Sequence, residues 1–164
     1  MSNSMINGNG AENYRQISSI KGNLHAGRLQ IKTSDTDAIT VESTGTSDRL
    51  GFQAYEQGGV LYLQTNKTAI AMENGLITVT VPGDRTFDEI ALELSVGELH
   101  ADQLRANRLT VESGAGQAVI QYFTVRNARF VCGVGALSGQ GDAAETLEVS
   151  CGIGQVNIDY TEES

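Results

Sequence analysis

Four glycines, Gly97, Gly116, Gly135 and Gly154, recur every 19 residues, and the residues around them keep step. Aligned at that interval, five columns read Ile90, Leu109, Ala128, Leu147; Leu92, Val111, Phe130, Val149; Leu94, Ser113, Cys132, Cys151; Val96, Ala115, Val134, Ile153; and Leu99, Ala118, Leu137, Val156. Nineteen of these twenty positions are hydrophobic, where a chain that is 40% hydrophobic would supply eight by chance. The interleaved columns that begin at Ala91, Glu93 and Ser95 are hydrophobic at only two of twelve positions. One face is therefore buried and the other solvated, four times over, which is the mark of a repeat architecture.

A unit of 19 residues is too short for a strand followed by a crossover helix, so each repeat reads as one coil of strand, turn, strand, turn. Successive coils then stack in parallel at ~4.8 Å, and like residues form ladders along an all-β solenoid. On this reading Val96, Ala115, Val134, Ile153, Cys132 and Cys151 belong to an inward core ladder, and the four glycines mark the repeated turn. Inward parity slips by one residue between Val96 and Leu99, at the glycine, where a Cβ would crowd the neighbouring coil. A second face carries Ala101, Ile120, Gly139 and Ile158, and the polar stretch 102–107 reads as a loop or a short third side. If Val134 is inward, Val134→Asp places an unpaired charge in the core and should unfold the C-terminal coils.

Before residue 87 the period is lost but the alternation is not. Leu29 and Ile31, Ile39 and Val41, Phe52 and Ala54, Leu61 and Leu63, and Ile77, Val79 and Val81 are short period-two runs. Turn chemistry separates them, at 34–37, at Gln57, Gly58 and Gly59, and at Asn74 and Gly75; Pro82 ends the strongest run because it cannot donate to a central ladder. Only 68–73 hints at a helical turn. The organisation expected is a mobile Asn/Ser/Gly-rich leader at 1–13, an N-terminal lobe of short strands at 14–86, regular coils at 87–160, and an acidic tail at 161–164, with 14–160 forming one continuous domain.

Charge narrows the functions. Lys plus Arg number 11 against 20 Asp plus Glu, a net −9 with a pI near 4.6, and no basic cluster offers phosphate a partner, so neither nucleic acid nor an anionic lipid surface is expected. No apolar run reaches the length of a membrane span and the start has no apolar signal core, so this stretch of chain is expected to be soluble, without insertion into a bilayer. Two cysteines in a chain this long do not make a disulfide framework.

Few residues invite chemistry. Cys132 and Cys151 share a column that holds no further ligand, and read as small core hydrophobes rather than a redox pair or half a zinc site. His25 and His100 lie in the similar strings Leu24-His25-Ala26 and Leu99-His100-Ala101, and alternation turns both imidazoles outward. Glu93 and Glu112 should stack on adjacent coils, but Val131 and Ser150 interrupt the column; Asp35 and Asp37 read as turn caps. No phosphate-loop, dinucleotide, nucleophile-elbow or zinc-protease string is present. No catalytic, cofactor-binding or metal-ligating residue is assigned.

The run Gly75 to Pro82 (GLITVTVP), followed by Phe87 to Leu94 (FDEIALEL) and later coils of the type Leu109 to Gly116 (LTVESGAG), resembles the bacterial putative-adhesin domains of otherwise unknown function, also called toastrack domains. The resemblance extends from about Ile20 to Tyr160. It implies a right-handed, mostly single-stranded β-helix or β-roll in a bacterial protein, commonly attached to a membrane segment or to envelope-stress signalling proteins, and it carries over no active-site residues. The function expected is a non-enzymatic interaction module, an adhesin or envelope-associated domain at the cell surface, with a protein or glycan partner and self-association through the solenoid edges. The alternatives are a cytoplasmic or membrane-proximal scaffold in envelope-stress signalling and, more remotely, a polysaccharide-active β-helix enzyme.

Overall fold

The structure, a computed structural model, describes residues 5–45, 51–66 and 75–161. The stretch 68–73, the first four residues of the leader and residues 162–164 of the tail lie outside these. Every regular element described is a strand: β1 (Met5–Asn7), β2 (Gly10–Tyr14), β3 (Ser19–Leu24), β4 (Arg28–Ser34), β5 (Ile39–Thr44), β6 (Gln53–Gln57), β7 (Val60–Gln64), β8 (Leu76–Pro82), β9 (Phe87–Ala101) and β10 (Leu104–Thr161). Among the described residues no helix is long and apolar enough to cross a membrane.

The strands form one sheet in the order β1-β6-β7-β3-β9-β4-β8-β5-β2, with β10 paired to β9 off this path. The long β9 turns a corner, so that its first half pairs with β3 and its second half with β4, both in parallel. From that hinge one face runs outward through β3, β7, β6 and β1, and the other through β4, β8, β5 and β2. β1 and β2 meet again at the far end, which makes the sheet nearly closed and barrel-like. On the other side of β9, β10 pairs in parallel at a constant offset of 19, from Ala106 against Phe87 to Ile120 against Ala101. The same step recurs inside β10: a Cβ on Gly133 would fall 2.6 Å from the Gly114 carbonyl oxygen, and one on Gly152 would fall 2.9 Å from that of Gly133.

The core fills the space between the two faces. All four phenylalanines, Phe52, Phe87, Phe123 and Phe130, are fully buried in a core of mainly Ile, Leu and Val, and Phe123 and Phe130 meet at 5.4 Å in a tilted contact. Each such ring removed would cost about 3–5 kcal/mol.

Two expectations from sequence are corrected here. Residues 5–13 are not a mobile leader: β1 and β2 pair antiparallel with β6 and β5, and Ile6 is buried, as is Tyr14 at the end of β2. The strands of 14–86 belong to the same stack as the later coils, because β3 and β4 lie directly against β9 as its next layer. Of the two readings of the polar stretch after Ala101, the structure takes the short third side: β10 begins at Leu104, and Leu104 and Ala106 and, one repeat later, Phe123 and Val125 are buried in the core.

The second correction concerns the ladder of Val96, Ala115, Val134 and Ile153. Val96 is 37% exposed, Val134 54% and Ile153 74%, and Ala115 is half-buried. Inward alternation holds at Ile90, Leu92 and Leu94, then resumes at Leu99; the chain turns its corner between them and throws Val96 to the outside of the bend. Cys151 is also exposed, whereas Cys132 is buried. Cys151 belongs to the last turn of the stack, where Leu147, Val156 and Ile158 pack against the core on one side only and Val149 is 42% exposed.

Candidate binding face

The outward side of the face built from β1, β6, β7, β3, β9 and the start of β10 carries two registered rows of side chains. Pairing sets Met5 against Tyr55, Tyr55 against Tyr62, Tyr62 against Lys21, Lys21 against Ala91, and Ala91 against Thr110. Two residues along each strand, the next row runs Asn7, Gln53, Gln64, Asn23, Glu93 and Glu112. Such rows arise because period-two strands in register bring like-facing side chains to within one interstrand spacing.

Local chemistry holds the rows in place. Tyr55 and Tyr62 stack with ring centroids 5.1 Å apart and planes 22° from parallel. Gln64 Nε2 donates to Gln53 Oε1 at 2.7 Å, and Gln53 Nε2 donates to Asn7 Oδ1 at 3.0 Å, so the carboxamides form a chain of one polarity. Lys21 Nζ lies 3.9 Å from Glu89 Oε1. Ala91, the shortest side chain in its row, leaves a dip between Lys21 and Thr110, and the groove around it measures about 600 Å³. Its polar wall is Gln64, Asn23, Glu93 and Glu112, and its aromatic wall is the tyrosine pair.

The residues singled out from sequence are scattered. Glu93 and Glu112 do lie side by side, in this face. His100 is exposed and pairs with Gln30, whereas His25 is half-buried at the corner, with Nδ1 3.4 Å from Ser95 Oγ and its backbone N–H donating to Thr65 Oγ1 at 2.7 Å. The two histidines are therefore not equivalent, and among the described residues neither is joined to a carboxylate. Asp35 and Asp37 are exposed; Ser34 Oγ makes the turn, accepting from the Thr36 N–H at 3.3 Å. Burial pushes the Cys132 thiol up, and its neighbour Cys151 adds to the effect. Tyr14, buried near Glu12 and Glu56, is pushed up to about 12 by desolvation first and those carboxylates second. Among the described residues no group of three or more His, Cys, Asp or Glu could hold a metal ion. A second groove of about 590 Å³ lies beside Ile120, Gly139 and Ile158, toward the end of β10.

The tyrosine pair has a local signal in the sequence. The Gly58-Gly59 turn makes β6 and β7 a hairpin, and residues placed symmetrically about it, Tyr55 with Tyr62 and Gln53 with Gln64, must face each other. The continuation of both rows into β3 and β9 was not readable, because those partners come from distant parts of the chain.

The fold is an all-β, nearly closed sheet that turns about one bent strand and extends by a constant register. The chain belongs to the Toastrack DUF4097 family, which matches it over residues 17–164. This agrees with the resemblance carried by Gly75–Pro82 and the repeats after Phe87. Among solved structures, a "putative cell adhesion protein" from Clostridium sporogenes superimposes with a TM-score of 0.61 at 11% identity, covering 93% of this chain and 100% of that one. A "putative adhesin" from Bacteroides fragilis aligns at 15% identity with a TM-score of 0.38, covering 96% of this chain and 98% of that one. At these identities the first likeness is one of fold alone. No curated protein matches the chain.

Proposed function

We propose that this chain is a non-enzymatic, adhesin-like binding module whose registered outward rows are its interaction surface, working at the bacterial cell envelope. The observation that carries this reading is the pair of rows from Met5 to Thr110 and from Asn7 to Glu112, six strands wide. A stack of strands presents such rows without a catalytic pocket, and side-chain identity can change along them at little cost to the fold. Family membership and the adhesion name of the C. sporogenes protein support the same reading. The winding is taken as right-handed, in line with the general preference of parallel β connections.

Protease shaving of intact producing cells, combined with saturation binding of the purified protein to bacterial cells and extracellular matrix, tests the reading. Release from the surface together with saturable binding is the expected result. Full protection in the cytosol with linear, unsaturable binding overturns it, and so does turnover of a cell-wall polymer by the purified protein.

A further inference from the structure

We propose that the groove around Ala91 is a saccharide site, taking a neutral or amino-substituted sugar whose ring stacks on the Tyr55–Tyr62 pair while its hydroxyls donate to Gln64, Asn23 and Glu93. The inference rests on the binding-module reading and adds to it a place and a ligand class.

Recognition on this face must go through side chains. β7 lies between β6 and β3, and β3 between β7 and β9, so the backbone groups at the centre of the face are already paired and an extended peptide has no edge to join. A ligand must therefore be dense in groups that side chains can address.

The groups present are mostly acceptors. The carboxamide chain runs from Gln64 through Gln53 to Asn7 and directs one N–H of each donor amide outward, which leaves Gln64 Oε1 open as an acceptor at the groove end. Among the described residues the Asn23 carboxamide and Gln64 Oε1 carry no hydrogen bond to protein. Next in the row stand Glu93 and Glu112, which only accept when ionised. The cation in the groove, Lys21, is already beside Glu89. An acceptor-lined groove suits a ligand rich in donors, and a sugar supplies hydroxyls around its rim.

The tyrosines supply the other half. A pyranose ring has a C–H face that is apolar and a rim that is polar, and a half-buried aromatic with a wet edge matches that division. Tyr55 and Tyr62 are half-buried, paired and on the outward side, with Gln64 on the same strand as Tyr62, Asn23 on the next strand and Glu93 on the one after. Among the described residues that line it, Glu89, Glu93 and Glu112 against Lys21 make the groove net negative, so uronic or sulfated sugars are disfavoured and a protonated amino sugar is favoured.

The test uses the whole chain in titration calorimetry at low salt with three probes: cellohexaose, a fully deacetylated chitosan hexamer, and hexagalacturonate. Binding of cellohexaose or the chitosan hexamer, at least tenfold tighter than hexagalacturonate, is the expected result. Tyr62→Ala should weaken it at least tenfold, and Ala91→Arg, which fills the groove from an outward position, should abolish it, while Tyr122→Ala elsewhere on the surface leaves it unchanged. Both groove variants are to be checked for wild-type melting, and Gln64→Ala serves if either fails. Equal or tighter binding of hexagalacturonate, or full affinity in folded groove variants, overturns the proposal. If the wild type binds none of the three sugars but still binds cells saturably, the groove assignment falls and the module reading stands; if it binds neither, both fall.

Discussion

Gly97 sits so close to Gly27 that a Cβ on Gly97 would run into the Gly27 carbonyl oxygen, although Gly27 lies in the bend between β3 and β4, far from β9 in sequence. The same oxygen accepts the Glu98 N–H at 3.2 Å. Gly27, with φ +111°, is thus the first member of the corner column that continues through Gly97, Gly116, Gly135 and Gly154, each set against the carbonyl of the one before. The corner is a backbone-on-backbone contact with room for hydrogen only.

Gly116→Ala should therefore be severe. It combines φ +129° with a collision against the Gly97 backbone, and a loss of about 3 kcal/mol or more is expected. Gly58→Ala, at φ +61° but with no atom within 4 Å of the new Cβ, should cost about 1 kcal/mol. Urea unfolding of the two variants measures the gap, and equal losses would refute the corner argument.

Phe130 and Val134 stand four residues apart on opposite sides of the backbone. Phe130→Ala should destabilise by about 3–5 kcal/mol, since a fully buried ring leaves a cavity. Val134→Asp, on a residue 54% exposed, should stay within about 0.5 kcal/mol of wild type. An unfolded Val134→Asp protein would restore the inward ladder that the structure overturns.

Removing residues 1–14 should lower the melting temperature by roughly 10 °C. The truncation strips β1 and β2 from β6 and β5 and deletes the buried Ile6 and Tyr14, each worth about 1.5–3 kcal/mol. Calorimetry that finds the truncated chain as stable as the full one would return this segment to the role of a leader.

Tyr14 should shape the alkaline limit. Its hydroxyl is pushed from 10.0 up to about 12 in the fold, so the native state keeps a proton that the unfolded chain has lost. The contribution is fully present below pH 10 and is lost progressively as pH rises from 10 toward 12. Tyr14→Phe should flatten that part of the stability profile while leaving the neutral region little changed. A Phe variant with the same alkaline slope as wild type would place the titration elsewhere.

The two thiols should separate under a labelling reagent. Cys151 is exposed and should react in the native protein, whereas Cys132 is buried with its thiol pushed up and should react roughly a hundredfold more slowly, on opening of the last turn. Mass spectrometry of a labelling time course reads both sites, and equal rates would contradict the placement.

How much of this was written in the chain depends on how local the deciding contacts are. Alternation at Leu29–Ile31, Ile39–Val41 and Ile77–Val81 gave the strands, and the 19-residue period gave the pairing of Leu109 with Ile90 and Val111 with Leu92. A hydrophobic period needs only the residues that carry it, so it can be read along the sequence. The acceptor row was half legible: the Gly58-Gly59 hairpin fixes Gln53 opposite Gln64, but nothing local says that Asn23 and Glu93 come next.

The tertiary structure decided the rest. Val96 turns outward because the corner at Gly97 must clear the Gly27 carbonyl, and Gly27 lies in the bend between β3 and β4, which the period does not reach. Cys151 is exposed while Cys132 is buried, with the same neighbours in sequence pattern, because only the outermost turn lacks a further layer over its core side. The polar segment 5–14 became two strands because β6 and β5 offer it their unpaired edges. Period and turn chemistry are properties of the covalent chain, whereas burial and edge pairing are set by whatever distant segment arrives alongside.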